Sequence, residues 1–228
     1  MKIGILQAGH SPEGLIADFG DYGEMFVTLL GGNGFEFQIW SVVDGDIPAS
    51  ADLADGWLVT GSKFGAYDAL DWIPPLEDFL RTAFDQNIPI VGICFGHQIL
   101  AQALGGKVEK FGGGWAVGAT DYDVKNDDKT ITLNAWHQDQ VTRRPEGATV
   151  LASSPQCENA MLAYGTKALT IQPHPEFGND FVEGLVKNRG RGLVPDDLLT
   201  AAISRLETPI SRDWILENMV RFFKQPRV

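Results

Sequence analysis

The sequence predicts an α/β protein built on an open, mostly parallel, twisted sheet with helices on both faces, followed by a helical C-terminal extension. Three observations predict it. Short apolar runs bounded by glycine alternate with amphipathic stretches of helical length through the N-terminal part of the chain. That alternation calls for parallel strands joined by crossover helices. A series of strand-like runs then follows without helices between them, and beyond residue 179 apolar residues recur only at helical spacing.

Taken in order, residues 3–7 form a short apolar run followed by Gly9, the pattern of a buried strand. Met25, Phe26, Leu29 and Leu30 recur at helical spacing, and Gly31-Gly32 stops that helix. Residues 35–40 alternate as a strand, and residues 57–60 make a further short run ending at Gly61. Leu76, Phe79, Leu80, Ala83 and Phe84 mark one face of an amphipathic helix. Residues 88–93 give the next buried strand; Ile99, Leu100, Ala103 and Leu104 give the next helix, closed by Gly105-Gly106. The runs at 115–124, 130–135, 148–152, 160–163 and 168–172 read as an antiparallel extension plus returning central strands. Leu198, Leu199, Ala202, Ile203 and Leu206 form one helical stripe, and Ile215, Met219, Phe222 and Phe223 another. With no internal repeat and no linker, a single domain is expected: a core over residues 1–177 and a helical appendage over 178–228.

Composition narrows the function. Hydrophobic residues make up 44% and charged residues 21% of the chain, ordinary usage for a folded domain. A net charge of −12 repels phosphate backbones and anionic lipid heads, which argues against nucleic-acid or membrane binding. There is no apolar run of about 18 residues, and the N-terminal segment lacks the apolar stretch of a secretory signal. A cytoplasmic protein is expected. The two cysteines, Cys94 and Cys157, show no C-x-x-C spacing, so neither a zinc site nor a disulfide framework is signalled.

The sharpest feature is Gly92-Ile93-Cys94-Phe95-Gly96, where a buried strand runs straight into a helix. A cysteine at that joint, flanked two residues away on each side by glycine, has the form of a nucleophile elbow. The turn strains the backbone at the nucleophile, and the glycines let neighbouring strand and helix approach. A helix N-terminus also favours a negative sulfur, and the Phe95 N–H is placed to donate to an oxyanion. Cys157 lies in a polar, turn-like stretch without such a frame. A thiol nucleophile needs a base. Of the four histidines, His10 sits in a loop and His97 on the elbow helix. His174 ends the run 168–172 within Gln172-Pro173-His174-Pro175-Glu176, where a parallel strand delivers ligand-binding residues. Prolines on both sides stiffen its presentation, and Glu176 can hold the second ring nitrogen.

The combination of Gly92-x-Cys94-x-Gly96-x-Gln98 with His174-Pro175-Glu176, about 80 residues apart, closely resembles the class I glutamine amidotransferases. The likeness spans roughly residues 1–177 and is nearest to the subgroup that includes the amidotransferase domain of GMP synthetase and plant γ-glutamyl peptidases. It implies a flavodoxin-like fold and a Cys94–His174–Glu176 triad that cleaves a γ-glutamyl amide through a thioester. It also implies an oxyanion hole from Phe95 and a second N–H at Gly61 or Ser62. The family pattern there has two glycines and a proline, whereas this chain has Gly61-Ser62-Lys63. Trp136-His137-Gln138-Asp139-Gln140-Val141 resembles the subgroup's H-x-D-x-V motif, which assigns substrate contacts to His137 and, for the α-ammonium, to Asp139. Gly112-Gly113-Gly114-Trp115 resembles the segment lying against the substrate's α-carboxylate end, which brings in Gly114 and Trp115; Gln98 would face the substrate from the elbow helix.

Amidotransferases usually feed ammonia to a synthetase, yet no P-loop or second domain is visible in this chain. Three readings stand: a stand-alone hydrolase of glutamine or a γ-glutamyl conjugate, which is favoured; a glutaminase subunit delivering ammonia to a separate synthetase; and a non-catalytic regulator that binds a glutamyl ligand. Retention of Cys94, His174 and Glu176 argues against the third. The appendage is read as a cap over the site or a dimer contact. No metal or organic cofactor is required by this chemistry.

Overall fold

The computed structural model describes residues 1–226, so the last two residues of the expected appendage lie outside the described residues. The chain runs β1 (Lys2–Leu6), α1 (Glu13–Phe19), α2 (Tyr22–Leu30), β2 (Glu36–Trp40), β3 (Gly56–Val59), α3 (Ile73–Asp85), β4 (Ile90–Ile93) and α4 (Phe95–Ala103). It continues through β5 (Lys107–Lys110), β6 (Ala116–Val124), β7 (Thr130–His137), β8 (Asp139–Arg143), β9 (Thr149–Ser154), β10 (Cys157–Tyr164) and β11 (Ala168–Ile171). It ends in α5 (Asn179–Leu185), α6 (Asp196–Ser204) and α7 (Arg212–Lys224), with a π-helical segment, Val186–Gly190, directly after α5.

Nine strands form one sheet in the order β2-β1-β3-β4-β11-β10-β9-β6-β7. The first five are mutually parallel. The flank from β10 to β7 is antiparallel, as the tightly spaced runs after residue 107 suggest. Along the parallel strands the side chains alternate between faces, as a period of two demands. Ile3, Ile5, Leu58, Val91, Ile93 and Ile171 pack with Phe26 of α2 and with Ile215, Met219 and Phe223 of α7. On the opposite face, Leu6, Trp57, Val59 and Ile90 pack with Leu80 of α3 and Ile99 of α4. Part of the C-terminal extension is thus sheet cover. Its last helix is tied down where Ser211 N–H donates to the Thr132 carbonyl at 2.7 Å and Thr132 N–H to Ser211 Oγ at 3.1 Å. A third apolar cluster, with Tyr22, Trp136, Phe177, Phe181 and Leu199, joins α2, α5 and α6 beside one end of the sheet.

Three elements had no periodic signature. Helix α1 has seven residues and one buried side chain, Leu15, too short a stripe to read. Strands β5 and β8 pair with each other in a separate two-stranded sheet, and both are mostly polar, KVEK and DQVTR. Cys157 begins β10 and is buried rather than lying in a polar turn. No described helix is long and apolar enough to cross a membrane.

Candidate active site

Strand β4 is buried along its whole length and hands over to α4 at a single residue. Cys94 occupies that joint with φ 51° and ψ −100°, a left-handed backbone that costs a residue with a Cβ of order 1–3 kcal/mol. Neighbouring hydrogen bonds hold it there. Cys94 N–H donates to the Ile171 carbonyl of β11 at 2.8 Å, Gly96 N–H to the Thr60 carbonyl at 3.2 Å, and Gln98 N–H back to the Cys94 carbonyl at 3.0 Å. Both flanking glycines are sterically required. A Cβ on Gly92 would sit 2.5 Å from the Gly96 carbonyl oxygen, and one on Gly96 would collide with the Val59 carbonyl. Cys94 is 5% exposed and lines a cleft of about 260 Å³.

His174 and Glu176 meet it from the loop after β11. The His174 Nδ1 to Glu176 Oε1 distance is 2.7 Å, and both side chains are buried. Backbone N–H of His174 donates to the Asn134 carbonyl at 2.8 Å, which docks the loop on β7. Phe177 lies flat on the imidazole, 3.9 Å between centroids and 3° between planes. Burial works against charge on the ring, but the Glu176 carboxylate and then the Cys94 sulfur outweigh it, so the His174 pKa is raised. Gly61 closes the third side. A Cβ there would stand 2.9 Å from His174 Cε1 and 3.8 Å from Cys94 Cβ, so only glycine lets the loop come this near. The N–H groups of Phe95, Gly61 and Ser62 have no acceptor among the described residues. A thiol, a buried imidazole with a carboxylate behind it, and uncommitted N–H groups can together attack a carbonyl carbon, hold its oxyanion and shuttle a proton.

Two side chains reinforce the His174 loop. Arg212, first residue of α7, donates from Nε to the Pro175 carbonyl and from Nη2 to the Glu176 carbonyl, each at 3.1 Å. Asn134 Nδ2 donates to the Phe177 carbonyl at 3.0 Å.

The other anticipated residues are distributed around the cleft. Asp139 lines it and accepts from the Tyr67 hydroxyl at 3.1 Å; burial raises its pKa, partly offset by that bond and by Lys110. His137 lines it too, 4% exposed, with neither ring nitrogen hydrogen-bonded; burial and then the His174 charge push it down to about 3. Gln98 reaches the lining, but both its amide hydrogens are engaged, on the Asp139 carbonyl at 2.8 Å and Gln172 Oε1 at 3.1 Å. What Gln98 offers a ligand is its carbonyl oxygen. Trp115 lines the cleft, whereas Gly114 lies in the turn before β6, outside the lining, with its N–H on the Phe111 carbonyl. His97 faces the sheet, its Nδ1 2.8 Å from Thr170 Oγ1, and takes no part in the cleft. Burial pushes the Cys157 thiol up to about 12, leaving it protonated at neutral pH.

Sequence reading passed over Tyr22, Tyr67, Lys110, Phe177 and Arg189, which also line the cleft. Phe177 directly follows the H-P-E segment, whereas Arg189, from the π-helical segment, carries no local signal.

Comparison with known proteins identifies the family and the fold. The family described as glutamine amidotransferase class-I matches residues 15–181. A putative glutamine amidotransferase-like protein of Schizosaccharomyces pombe is 31% identical, with 96% of this chain and 97% of that protein covered. Gamma-glutamyl peptidase 4 of Arabidopsis thaliana is 34% identical over 74% of this chain and 72% of its own length. The crystal structure of a glutamine amidotransferase from Thermotoga maritima shares the fold, with a TM-score of 0.75 at 21% identity over 98% of this chain and 99% of that one. With most of its length matched by that family and a relative above 30% identity along nearly the whole chain, this protein belongs to the class I glutamine amidotransferase family.

Proposed function

We propose that this chain is a stand-alone cysteine hydrolase that cleaves γ-glutamyl amides, in glutamine or a γ-glutamyl conjugate, through a γ-glutamyl thioester. One observation carries the reading: Cys94, held at φ 51° on the elbow, shares the cleft lining with a His174 whose far nitrogen is fixed 2.7 Å from Glu176. In this reading the Cys94 sulfur attacks the γ-carbonyl carbon. The oxyanion is received by Phe95 N–H with Gly61 or Ser62 N–H. As the carbon–nitrogen bond breaks, His174 gives its proton to the leaving amine. Water then adds to the thioester, His174 takes a proton from it, and glutamate leaves as the thiol is restored. Asp139 receives the α-ammonium, as a half-buried carboxylate at the cleft wall is suited to do. The likeness to a protein named a gamma-glutamyl peptidase supports the substrate class.

The test is a mass-spectrometric screen of glutamine and a panel of γ-glutamyl amides, with Cys94→Ala as control. Expected are free glutamate and a glutamyl adduct on Cys94 that iodoacetamide pre-treatment prevents. Ammonia release only when a separate synthetase is added would replace the hydrolase with a delivery subunit. Ligand binding without turnover under any condition would leave a glutamyl-binding regulator.

A further inference from the structure

Charged residues of both signs line the cleft. Asp139 shares its surroundings with Tyr67, Asp68 and Lys110. The segment carrying Arg189 instead packs near His174: Val186 shares an apolar cluster with Phe177, which lies flat on the His174 ring, and a Cβ on Gly190 would stand 3.5 Å from the Trp136 ring. Arg189 therefore belongs to the His174 side of the cleft. It comes from the π-helical segment Val186–Gly190 within the C-terminal extension, an irregularity often found at functional sites. Its neighbours on that segment are tied back to α5: Lys187 pairs with Glu183 at 2.6 Å, and Asn188 Nδ2 donates to the Gly184 carbonyl at 2.8 Å. Arg189 is partly buried in the cleft wall and has no carboxylate within ion-pair distance among the described residues. An uncompensated, partly buried arginine is a ready receptor for a carboxylate, whose two oxygens its planar fork matches.

Charge balance points the same way. Outside the Cys94–His174–Glu176 set, the lining holds three cations, Lys63, Lys110 and Arg189, against two carboxylates, Asp68 and Asp139, within a chain of net charge −12. Glutamine is a zwitterion with no net charge. A γ-glutamyl amino acid carries one ammonium and two carboxylates, the complement of such a lining. Leu193 lines the same cleft and is 45% exposed, which supplies apolar surface for the side chain of a leaving amino acid.

We propose that Arg189 is a specificity-determining residue that recognises a free carboxylate on the leaving group, so that the preferred substrates are γ-glutamyl amino acids and peptides rather than glutamine or neutral γ-glutamyl amides. This rests on the hydrolase reading above. The experiment uses two compounds that differ in one carboxylate alone, γ-glutamyl-leucine and γ-glutamyl-3-methylbutylamide. The intact protein should favour γ-glutamyl-leucine by about tenfold or more in kcat/KM, the scale of a charge-assisted hydrogen bond. Arg189→Gln should erase that preference, bringing the kcat/KM ratio of the two compounds to about one, while circular dichroism reports that the variant is folded. Equal turnover of both compounds by the unaltered chain would overturn the proposal. So would an equal loss on both in Arg189→Gln, which would move the arginine to the glutamyl half of the substrate. Calorimetric titration of Cys94→Ala with the same pair separates recognition from chemistry. Tighter binding of the carboxylate compound without turnover in the unaltered chain would sink the hydrolase and keep the Arg189 assignment. Equal affinity would overturn the assignment even if hydrolysis is found.

Discussion

At the scale of single residues, backbone strain and charge decide the expectations. Cys94→Gly and Cys94→Ala both remove the sulfur and differ only in a Cβ held at φ 51°. The glycine variant is expected to be the more stable of the two by about 1–3 kcal/mol in urea unfolding; equal midpoints would mean the elbow stores no strain. Glu176 is expected to act through the His174 pKa. With Glu176→Gln the ring loses the carboxylate that raises it, so its pKa falls. If the reacting form needs a protonated ring, the alkaline limb of the kcat/KM profile moves to lower pH, and a limb that stays in place would separate Glu176 from the chemistry. Replacing His174 by alanine should cost about 10²–10⁴-fold in turnover, the range for a general acid–base group. The elbow around Cys94 was legible in the sequence because steric need leaves a mark: Gly92 and Gly96 stand where no Cβ fits. His174 and Glu176 carried no such mark and were singled out by their place at a strand end beside prolines. Arg189 was not, because an arginine in a polar stretch reads as a solvated side chain until the fold carries it into the cleft.

Whole elements carry a second group of expectations. Helix α7 covers one sheet face with Ile215, Met219, Phe222 and Phe223 and also clamps the His174 loop through Arg212. Met219→Ala should destabilise the protein by about 2–5 kcal/mol in urea, the usual cost of emptying a buried site. Arg212→Ala should lower kcat with little change in KM, since it frees the Pro175 and Glu176 carbonyls without touching the cleft lining. Arg212→Lys should not restore it, because a single ammonium lacks the fork that reaches both carbonyls. A matched rise in KM would point to a disturbed binding wall instead. The long stripes of α3 and α7 were readable because each presents several apolar residues at helical spacing. Strands β5 and β8 were not: each is largely polar, and their pairing across about 35 residues is a tertiary fact.

For the molecule as a whole, the α/β class and the strand-to-site polarity followed from alternation alone, while the antiparallel flank could be counted in strands but not ordered. Stability against pH is the matching global expectation. His97 and His137 are buried, and burial lowers both to about 3 from an unfolded value near 6.5. Above that unfolded value both states hold the rings neutral, and nothing is lost. As pH falls from about 6.5 towards 3 the unfolded chain binds protons that the native one refuses, removing about 1.4 kcal/mol per pH unit for each histidine. His137→Gln should flatten the decline between pH 6.5 and 5 relative to the unaltered chain. Parallel curves would show that His137 titrates alike in both states.

The link between Cys94 N–H and the Ile171 carbonyl, and the pairing of β4 with β11, have a meaning in time as well as in space. A ribosome delivers the sulfur roughly 80 residues before His174, about 4–16 s earlier at ordinary translation speeds. Until then the elbow lacks one of its two neighbouring strands, and the clamp from Arg212 arrives later still. Vectorial synthesis therefore keeps the nascent thiol apart from the His174 ring. A polypeptide arrested before residue 171 should carry a thiol open to alkylation yet unable to turn over.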